Sequence, residues 1–217
     1  MTTTTTTTTD TSDMLLLHRM FRREFSRMPS LVRQAAGSRE RAAIVGPYAL
    51  EMRGLLHVHH HGEDELLYPL LQERVSLQQD LLDRMDAQHR LVGDALDVIE
   101  ADLETWTTTA DPAIGERIAA LIEEMVPVLD EHLTEEEDQV LPLAAVHLTQ
   151  AEWDRMAEHG LGALPKPRRL VILGYILADT TPQEFTDFCT VLPTPVRVLY
   201  KLVGKRQYQK EAARVAG

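Results

Sequence analysis

Residues 59–70 read HHHGEDELLYPL, and residues 132–143 read HLTEEEDQVLPL. Both stretches contain the pattern His-x3-Glu-x5-Pro-Leu, and the second copy begins 73 residues after the first. A further histidine precedes each copy at a similar distance, His18 by 41 residues and His89 by 43. Residues four apart lie on one face of a helix, so each copy can present an imidazole beside a carboxylate. The pattern therefore predicts a duplicated helical hairpin.

Apolar residues at three- and four-residue spacing predict four helices around these repeats. We expect helices from Ser12 or Asp13 to Pro29, from about Arg39 to Pro69, from about Leu77 to Glu104, and from Asp111-Pro112 to about Leu143. Pro47 either kinks the second helix or marks a late start, and Pro127 is expected to kink the fourth. Four helices with short connections are typical of an up-down-up-down bundle, since an extended array of helical hairpins would need more than two repeats. The predicted fold class is all-α.

The chain outside the four helices is expected to form two further segments. Residues 1–11 are mostly threonine and cannot bury enough apolar surface to offset the entropy of ordering, which predicts a disordered tail. The bundle is predicted to span residues 12–146. Residues 147–217 are predicted to be a helical C-terminal extension, because they contain two capping-box patterns, at residues 149–152 and 181–184.

The extension differs from the bundle in charge. From residue 165 onward the chain has nine Lys/Arg and four Asp/Glu, which leaves a net charge of −17 for residues 1–164. We expect the basic helices to dock on the acidic bundle. A partner protein, such as an electron donor, or a membrane surface is the alternative.

Composition excludes several classes of protein. A net charge of −12 repels phosphate backbones and argues against a general nucleic-acid binder. The longest aliphatic run, residues 170–178, is far shorter than the roughly 20 residues that span a bilayer, so no transmembrane segment is expected. A single cysteine, Cys189, and a threonine-rich start with no base before Arg19 predict a cytoplasmic protein without a signal peptide.

Imidazoles and carboxylates interrupt the apolar stripes once on each predicted helix. A lone histidine on such a face is more often an ordinary core residue than a ligand. Several buried titratable groups without partners would each cost several kcal/mol, and a shared cation removes that penalty. Two copies of the repeat then predict two metal ions related by a pseudo-twofold axis. The candidate residues are His18, His59, Glu63, His89, His132 and Glu136.

With His, His-x3-Glu, His and His-x3-Glu in this order, residues 12–146 resemble the hemerythrin-like (HHE cation-binding) family in its bacterial form. The resemblance implies a non-heme diiron centre inside a four-helix bundle, with the two iron ions joined by an oxo or hydroxo bridge. It also implies that the four histidines are terminal ligands and that Glu63 and Glu136 are bridging ligands. Zinc and manganese are possible competitors, because imidazole and carboxylate ligands also suit these metals.

The sequence departs from the oxygen-carrying hemerythrins at Met85, where those proteins have a further histidine ligand. The resemblance therefore implies six protein ligands and leaves a seventh open to solvent, His60 or Tyr68. This departure argues against reversible O2 carriage. A register shift to His61-Glu65 is the alternative to His59-Glu63, while His147 and His159 are interpreted as surface residues at helix ends.

The leading functional interpretation is a diiron protein that binds or reduces small oxidants (O2, hydrogen peroxide or NO), with peroxide decomposition as the favoured activity. One alternative is an oxygen, iron or redox sensor, or an O2-binding protein, that signals through residues 147–217. Another is an interaction module that holds structural zinc. No pattern in the sequence indicates a nucleophilic triad, a P-loop or a dinucleotide-binding fingerprint.

Overall fold

The computed structural model describes residues 8–75 and 79–217, and within these ranges the chain is helical and contains no strand. The all-α prediction is confirmed. The helices are α1 (Ser12–Ala35), α2 (Arg39–Gly62), α3 (Tyr68–Arg74), α4 (Gln79–Thr109), α5 (Pro112–Glu135), α6 (Leu141–His147), α7 (Gln150–Ala163), α8 (Arg169–Ile176), α9 (Pro182–Val191), α10 (Thr194–Leu199) and α11 (Lys205–Ala216). Helices α1, α2, α4 and α5 pack in a ring, each against the next in the chain, and α5 closes the ring on α1.

Two short π-helical segments continue the helices that contain the repeats. Residues Glu63–Leu67 join α2 to α3, and residues Glu136–Val140 join α5 to α6. In each segment the closing hydrogen bond spans five residues, from the Tyr68 N–H to the Glu63 carbonyl and from the Leu141 N–H to the Glu136 carbonyl. Such π-turns widen a helix locally and are common at functional sites.

The prediction that α1 ends at Pro29 is wrong. The helix continues through Pro29 to Ala35, and Leu31, Val32 and Ala35 are buried in the main core. A proline inside a helix costs about 3 kcal/mol, whereas burial of each larger aliphatic side chain contributes roughly 1.5–3 kcal/mol. The apolar contacts beyond Pro29 therefore outweigh the cost of keeping it within the helix.

The helix bounds exclude one of the two alternatives for Pro47 and leave the kink at Pro127 as a prediction. Pro47 lies inside α2, so the late-start alternative is excluded, and Pro127 lies inside α5. The Asp111 side chain caps α5 as expected, by accepting from the N–H groups of Ala113 and Ile114. The predicted start of α4 at Leu77 lies outside the described residues, and α4 extends five residues beyond Glu104 to Thr109.

The bundle has two apolar clusters along its length. The larger cluster includes Phe21, Met52, Val92 and Leu129, and the smaller includes Met14, Leu67, Met85 and Val140. On α1 and α4, the histidine identified from sequence lies between the residues of one cluster and those of the other. On α2 and α5 it lies near the end of the larger cluster, and the π-helical segments that follow contain Leu67 and Val140 of the smaller one. The polar groups thus form one layer across an otherwise apolar interior.

Part of the predicted N-terminal tail has a defined position. Residues 1–7 lie outside the described residues, but Thr9 is buried and donates both its N–H to the Ala145 carbonyl and its hydroxyl to the Leu148 carbonyl. The chain is therefore ordered a few residues before α1 begins.

The C-terminal helices pack on the bundle mainly through apolar contacts. Val171, Ile172, Tyr175 and Val215 belong to the main core cluster. Both expected capping boxes are present, at the starts of α7 and α9.

Ion pairs between the extension and the bundle run in both directions. Arg168 pairs with Glu51, as the charge argument predicts, but Arg19 and Arg23 of the bundle pair with Glu184 and Asp179 of the extension. No helix in the described part of the chain has the length and apolar character that a bilayer crossing requires.

Gly174 allows α8 and α11 to approach each other closely. A Cβ at this position would lie 2.3 Å from the Cβ of Tyr208. We expect Gly174→Ala to reduce the free energy of unfolding by about 1–3 kcal/mol, because overpacking forces the two helices apart. In Gly160→Ala, the matched control within α7, a Cβ meets nothing within 4 Å, so this change should be neutral or stabilising by up to about 1 kcal/mol. Urea unfolding of both variants provides the measurement, and equal stabilities would contradict the packing argument.

Candidate metal centre

The six residues selected from sequence converge in the middle of the bundle. His18 comes from α1, His59 from α2, His89 from α4 and His132 from α5, while Glu63 and Glu136 begin the two π-turns. All six are buried, and His18, Glu63, His132 and Glu136 have no exposed surface. His60, the next residue after His59, is also buried in this layer.

These seven side chains form two groups that share one carboxylate. The first group contains His18, His59, Glu63 and Glu136, and the second contains His60, Glu63, His89 and His132. Within each group the four potential ligand atoms lie within 4.8 Å of one another. Each group is therefore compact enough to surround one ion.

The arrangement largely follows the sequence duplication. His18 Nε2 lies 3.3 Å from a Glu136 oxygen, and His89 Nε2 lies 3.4 Å from a Glu63 oxygen. His60 breaks this symmetry, because the equivalent position in the second copy is Leu133, which is also buried. The second group thus has an additional imidazole, whose ring stacks on His89 with centroids 4.1 Å apart.

Seven buried atoms in the two groups have no hydrogen-bond partner. They are His18 Nε2, His59 Nε2, His60 Nε2 and both carboxylate oxygens of Glu63 and of Glu136. Buried polar atoms are normally hydrogen-bonded, and each unsatisfied one costs free energy. Because these atoms all face one another and are all metal-ligand types, the residues present fit a metal cation.

Acceptors outside the cluster orient three of the histidines. The Nδ1 atoms of His18 and His89 lie 2.9 Å from a Glu137 oxygen and 2.8 Å from an Asp64 oxygen, so each can donate to a carboxylate. His132 Nδ1 lies 3.2 Å from Gln88 Oε1. Such bonds fix the tautomer with the Nδ1 proton and leave Nε2 as the lone-pair donor toward the interior.

Sequence analysis missed these three acceptors. Glu137 lies within a run of four acidic residues, 135–138, which in sequence looks like a solvated surface, and it also accepts a hydrogen bond from Arg22. A signal was present, since each copy of the repeat has a second acid directly after the buried glutamate, in Glu63-Asp64 and Glu136-Glu137. In both copies the first acid faces the interior and the second orients a histidine of another helix. No comparable signal marks Gln88.

Tyr68 and Met85 lie at the edge of the second group. The Tyr68 hydroxyl is 3.4 Å from His89 Nε2, and burial raises the pKa of this phenol well above its ordinary value. Met85 is fully buried and belongs to the smaller apolar cluster. Met85 therefore supplies an apolar contact one turn before His89 on α4.

Without a metal ion, the pKa values of the buried histidines are shifted in opposite directions: two are raised and three are lowered. Burial opposes protonation of His18, but the neighbouring carboxylates of Glu136 and Glu137 outweigh it and raise its pKa to about 9. Asp64 and Glu63 likewise overcome burial at His89, whose pKa is also about 9. Burial lowers the pKa of His132 to about 4 and holds those of His59 and His60 well below the ordinary value.

The pKa values of the two buried glutamates are also shifted in opposite directions. Burial raises the pKa of Glu63, and the charge of Glu136 adds to the increase. At Glu136 burial acts in the same direction, but the contact with His18 outweighs it and lowers the pKa. Without a metal ion, the proton is therefore held more readily by Glu63 than by Glu136.

Metal uptake should weaken steeply as the pH falls. At pH 7 the metal-free protein has protons on both His18 and His89, whose pKa values are about 9, and each Nε2 must lose its proton before it can bind a cation. Displacement of these two protons lowers the apparent affinity by up to about 100-fold for each pH unit well below 9, and displacement of the proton on Glu63, whose pKa is also raised, makes the decline steeper. Competition with a chelator between pH 7 and 8.5 measures this slope, and Asp64→Asn should reduce it by lowering the pKa of His89. An affinity that does not change with pH would contradict the protonation states.

The remaining histidines lie outside this layer. His61 is exposed while His59 is buried, so the structure favours the His59-Glu63 register over the alternative. His147 is exposed at the end of α6. His159 lies within α7 and not at a helix end, and its ring stacks on that of His61.

Fold and site together define an all-α bundle with a metal-binding interior. A family model described as the hemerythrin HHE cation binding domain matches residues 9–144. The chain therefore belongs to the hemerythrin HHE family. Neither the search of curated proteins nor that of solved structures gives a significant match.

Proposed function

We propose that the cluster holds two iron ions and that the protein binds or reduces small oxidants, namely O2, hydrogen peroxide or NO. Hydrogen peroxide decomposition is the activity we favour. The observation that carries the proposal is the pair of four-ligand groups with Glu63 in common, whose inward-facing atoms lack other partners. A carboxylate common to both groups can bridge two adjacent cations.

In this proposal each ion has its own set of side chains. His18, His59, Glu63 and Glu136 hold one ion, and His60, Glu63, His89 and His132 hold the other. Glu63 bridges the two ions, and Glu136 lies close enough to His132, at 3.9 Å, to serve the second ion as well. Ligation by imidazole and carboxylate without thiolate suits iron, with zinc and manganese as competitors.

The protein's own contribution to the chemistry is positioning, exclusion of water and hydrogen bonding. Two adjacent iron ions, when bound, exchange two electrons with one small oxidant. Phe21, Met52 and Met85 are fully buried and form apolar walls around the polar layer. Burial raises the pKa of Tyr68, so its hydroxyl keeps its proton and can donate a hydrogen bond beside the second ion.

Peroxide decomposition is tested by O2 release from the iron-loaded protein. The reaction converts two molecules of hydrogen peroxide into one of O2 and two of water. We expect the iron-loaded wild type to release O2, and His59→Ala/His132→Ala to lose both the iron and the activity. His147→Ala, an exposed histidine, is the control and should behave as the wild type. Equal O2 release by the wild type and the double variant would refute the proposal.

A sensor is the second candidate function, because one helix contacts both the cluster and the extension. Arg22 of α1 binds Glu137, which also contacts His18, while Arg19 and Arg23 of α1 pair with Glu184 and Asp179 beyond residue 165. A shift of α1 on oxidation would therefore be transmitted directly to the C-terminal helices.

Limited proteolysis of the oxidised and reduced iron-loaded protein distinguishes a sensor from an enzyme. A sensor should show cleavage in residues 165–217 that depends on the oxidation state. Identical cleavage in both states argues against it. In that sensor, the exposed basic residues Lys201, Lys205 and Lys210 would be available to a protein partner or electron donor.

A structural zinc site in an interaction module is the remaining alternative. A colourless protein that contains zinc as purified and has no near-ultraviolet iron absorption would favour it.

We place the protein in the cytoplasm, because its single cysteine, Cys189, is free and buried and forms no disulfide.

A further inference from the structure

A second cluster of potential ligands lies on the surface, outside the buried layer. It contains His61 at the end of α2, Glu65 in the following π-turn and His159 in α7. One ligand atom from each residue lies within 4.8 Å of those of the other two. We propose that these three side chains bind one divalent transition-metal cation, separate from the two in the buried centre.

The three side chains are positioned by two different parts of the fold. His61 and Glu65 are four residues apart, and His61 Nδ1 lies 3.5 Å from a Glu65 oxygen. The His159 ring lies nearly parallel to that of His61, with an interplanar angle of 13° and centroids 5.6 Å apart. His61 and Glu65, which are close in sequence, therefore lie beside His159, which follows nearly 100 residues later.

Gly62 provides the space that brings His159 to this point. A Cβ at Gly62 would lie 3.2 Å from His159 Cδ2, closer than side chains normally approach. The absence of a side chain there lets the imidazole of α7 rest directly on the end of α2. His159 is half-buried, so its orientation is constrained before any cation arrives.

The three side chains have no competing interactions within the described part of the chain. Apart from the contact between His61 and Glu65, none takes part in a hydrogen bond or ion pair there. The side chains of His61 and Glu65 are 50% and 56% exposed, so a cation can enter directly from solvent. Their lone pairs are free for a ligand.

The ligand types define the class of cation. Two imidazoles and one carboxylate suit Zn²⁺, Fe²⁺, Co²⁺ and Cu²⁺, with water in the remaining positions. Mg²⁺ and Ca²⁺ prefer oxygen ligands and should bind weakly. His57 is next on the same helix face, but its ring centroid is 6.3 Å from that of His61 and it lies outside the group.

Occupation of this surface site would join α7 to the segment that contains His59, His60 and Glu63. The cation would link the C-terminal part of the chain to the helix that supplies ligands to both groups of the buried centre. It should therefore stabilise the packing of α7 on α2 by preferential binding to the folded state.

Zn²⁺ titration of the iron-loaded full chain, followed by calorimetry, tests the proposal. The wild type should bind one Zn²⁺ that His159→Ala does not bind, or binds at least about tenfold more weakly, since even loss of an outer partner of a ligand costs 10- to 100-fold. Glu65→Gln should weaken the same event. His57→Ala and His147→Ala are matched controls and should bind Zn²⁺ as the wild type does.

The test does not depend on what the buried centre holds, because it compares variants that differ only at the surface. Zn²⁺ should also raise the melting temperature of the wild type more than that of His159→Ala. Equal stoichiometry and affinity in the wild type and His159→Ala would overturn the proposal. An equal loss in His57→Ala would also overturn it, since that result would place the cation elsewhere.

Discussion

Glu63→Ala is expected to remove both ions from the buried centre, whereas other single changes should affect one ion more than the other. Glu63 is the one residue common to both ligand groups, and both of its oxygens are buried without a hydrogen-bond partner. Its loss deprives both ions of a ligand and removes the negative charge between them. We expect the iron content of the anaerobically loaded protein, measured in the His159→Ala background that lacks the surface site, to fall from two per chain to well below one.

The controls separate loss of ligation from loss of folding. Glu63→Gln keeps the shape of the side chain and should still impair loading, because the amide cannot replace the charge of a bridging carboxylate. Glu73→Ala removes an exposed carboxylate of α3 and should leave the iron content unchanged. Two irons per chain in a folded Glu63→Ala protein would show that this residue bridges nothing.

Glu24→Ala is expected to lower the free energy of unfolding by about 3–5 kcal/mol, the usual cost of leaving a buried charge without its partner. Glu24 is fully buried, and its carboxylate accepts hydrogen bonds from Arg23 Nε at 2.7 Å and from the Tyr48 hydroxyl. Arg27 Nε lies 3.1 Å from the same carboxylate. Arg23 also donates to the Tyr175 carbonyl of α8, so the network joins α1, α2 and the extension.

A surface ion pair provides the comparison for Glu24. Glu123 binds Arg33 at an exposed position, and pairs of this kind contribute about 0–1 kcal/mol. Urea unfolding of Glu24→Ala and Glu123→Ala at the same metal loading should therefore differ by several kcal/mol. If the two variants have similar stability, the buried network contributes little to the fold.

Helix periodicity predicted the architecture because each long helix buries one apolar stripe, and this pattern is visible in sequence. The residues at which the helices end were harder to predict from sequence. Pro29 was expected to end α1, but the contacts of Leu31, Val32 and Ala35 with other helices override the local signal. The π-turns were also missed, since nothing in one helix alone shows that its backbone widens at Glu63 or Glu136.

The part of the candidate site that lies in the duplicated sequence pattern could be predicted. His-x3-Glu occurs twice in equivalent contexts, and the six residues chosen on this basis lie in one buried layer. His60 has no counterpart in the second copy, so the repeat could not identify it as a close neighbour of His89 and His132. α2 packs against both α1 and α4, and consecutive residues on it can therefore join different groups.

The surface cluster illustrates a different limit of sequence analysis. His61 and Glu65 have ligand spacing, but their third partner, His159, comes from a helix whose docking position no local pattern specifies. Only the packing of α7 on α2, made possible by Gly62, brings the three side chains together.

Anaerobic titration of the metal-free protein with Fe²⁺, followed by exposure to air, shows whether the buried cluster holds two iron ions. We expect two tightly bound iron ions per chain in His159→Ala, which lacks the surface site, and near-ultraviolet absorption that develops on oxidation. Binding of no iron, or of a single ion, by the folded protein would contradict a centre in which Glu63 is shared between two cations.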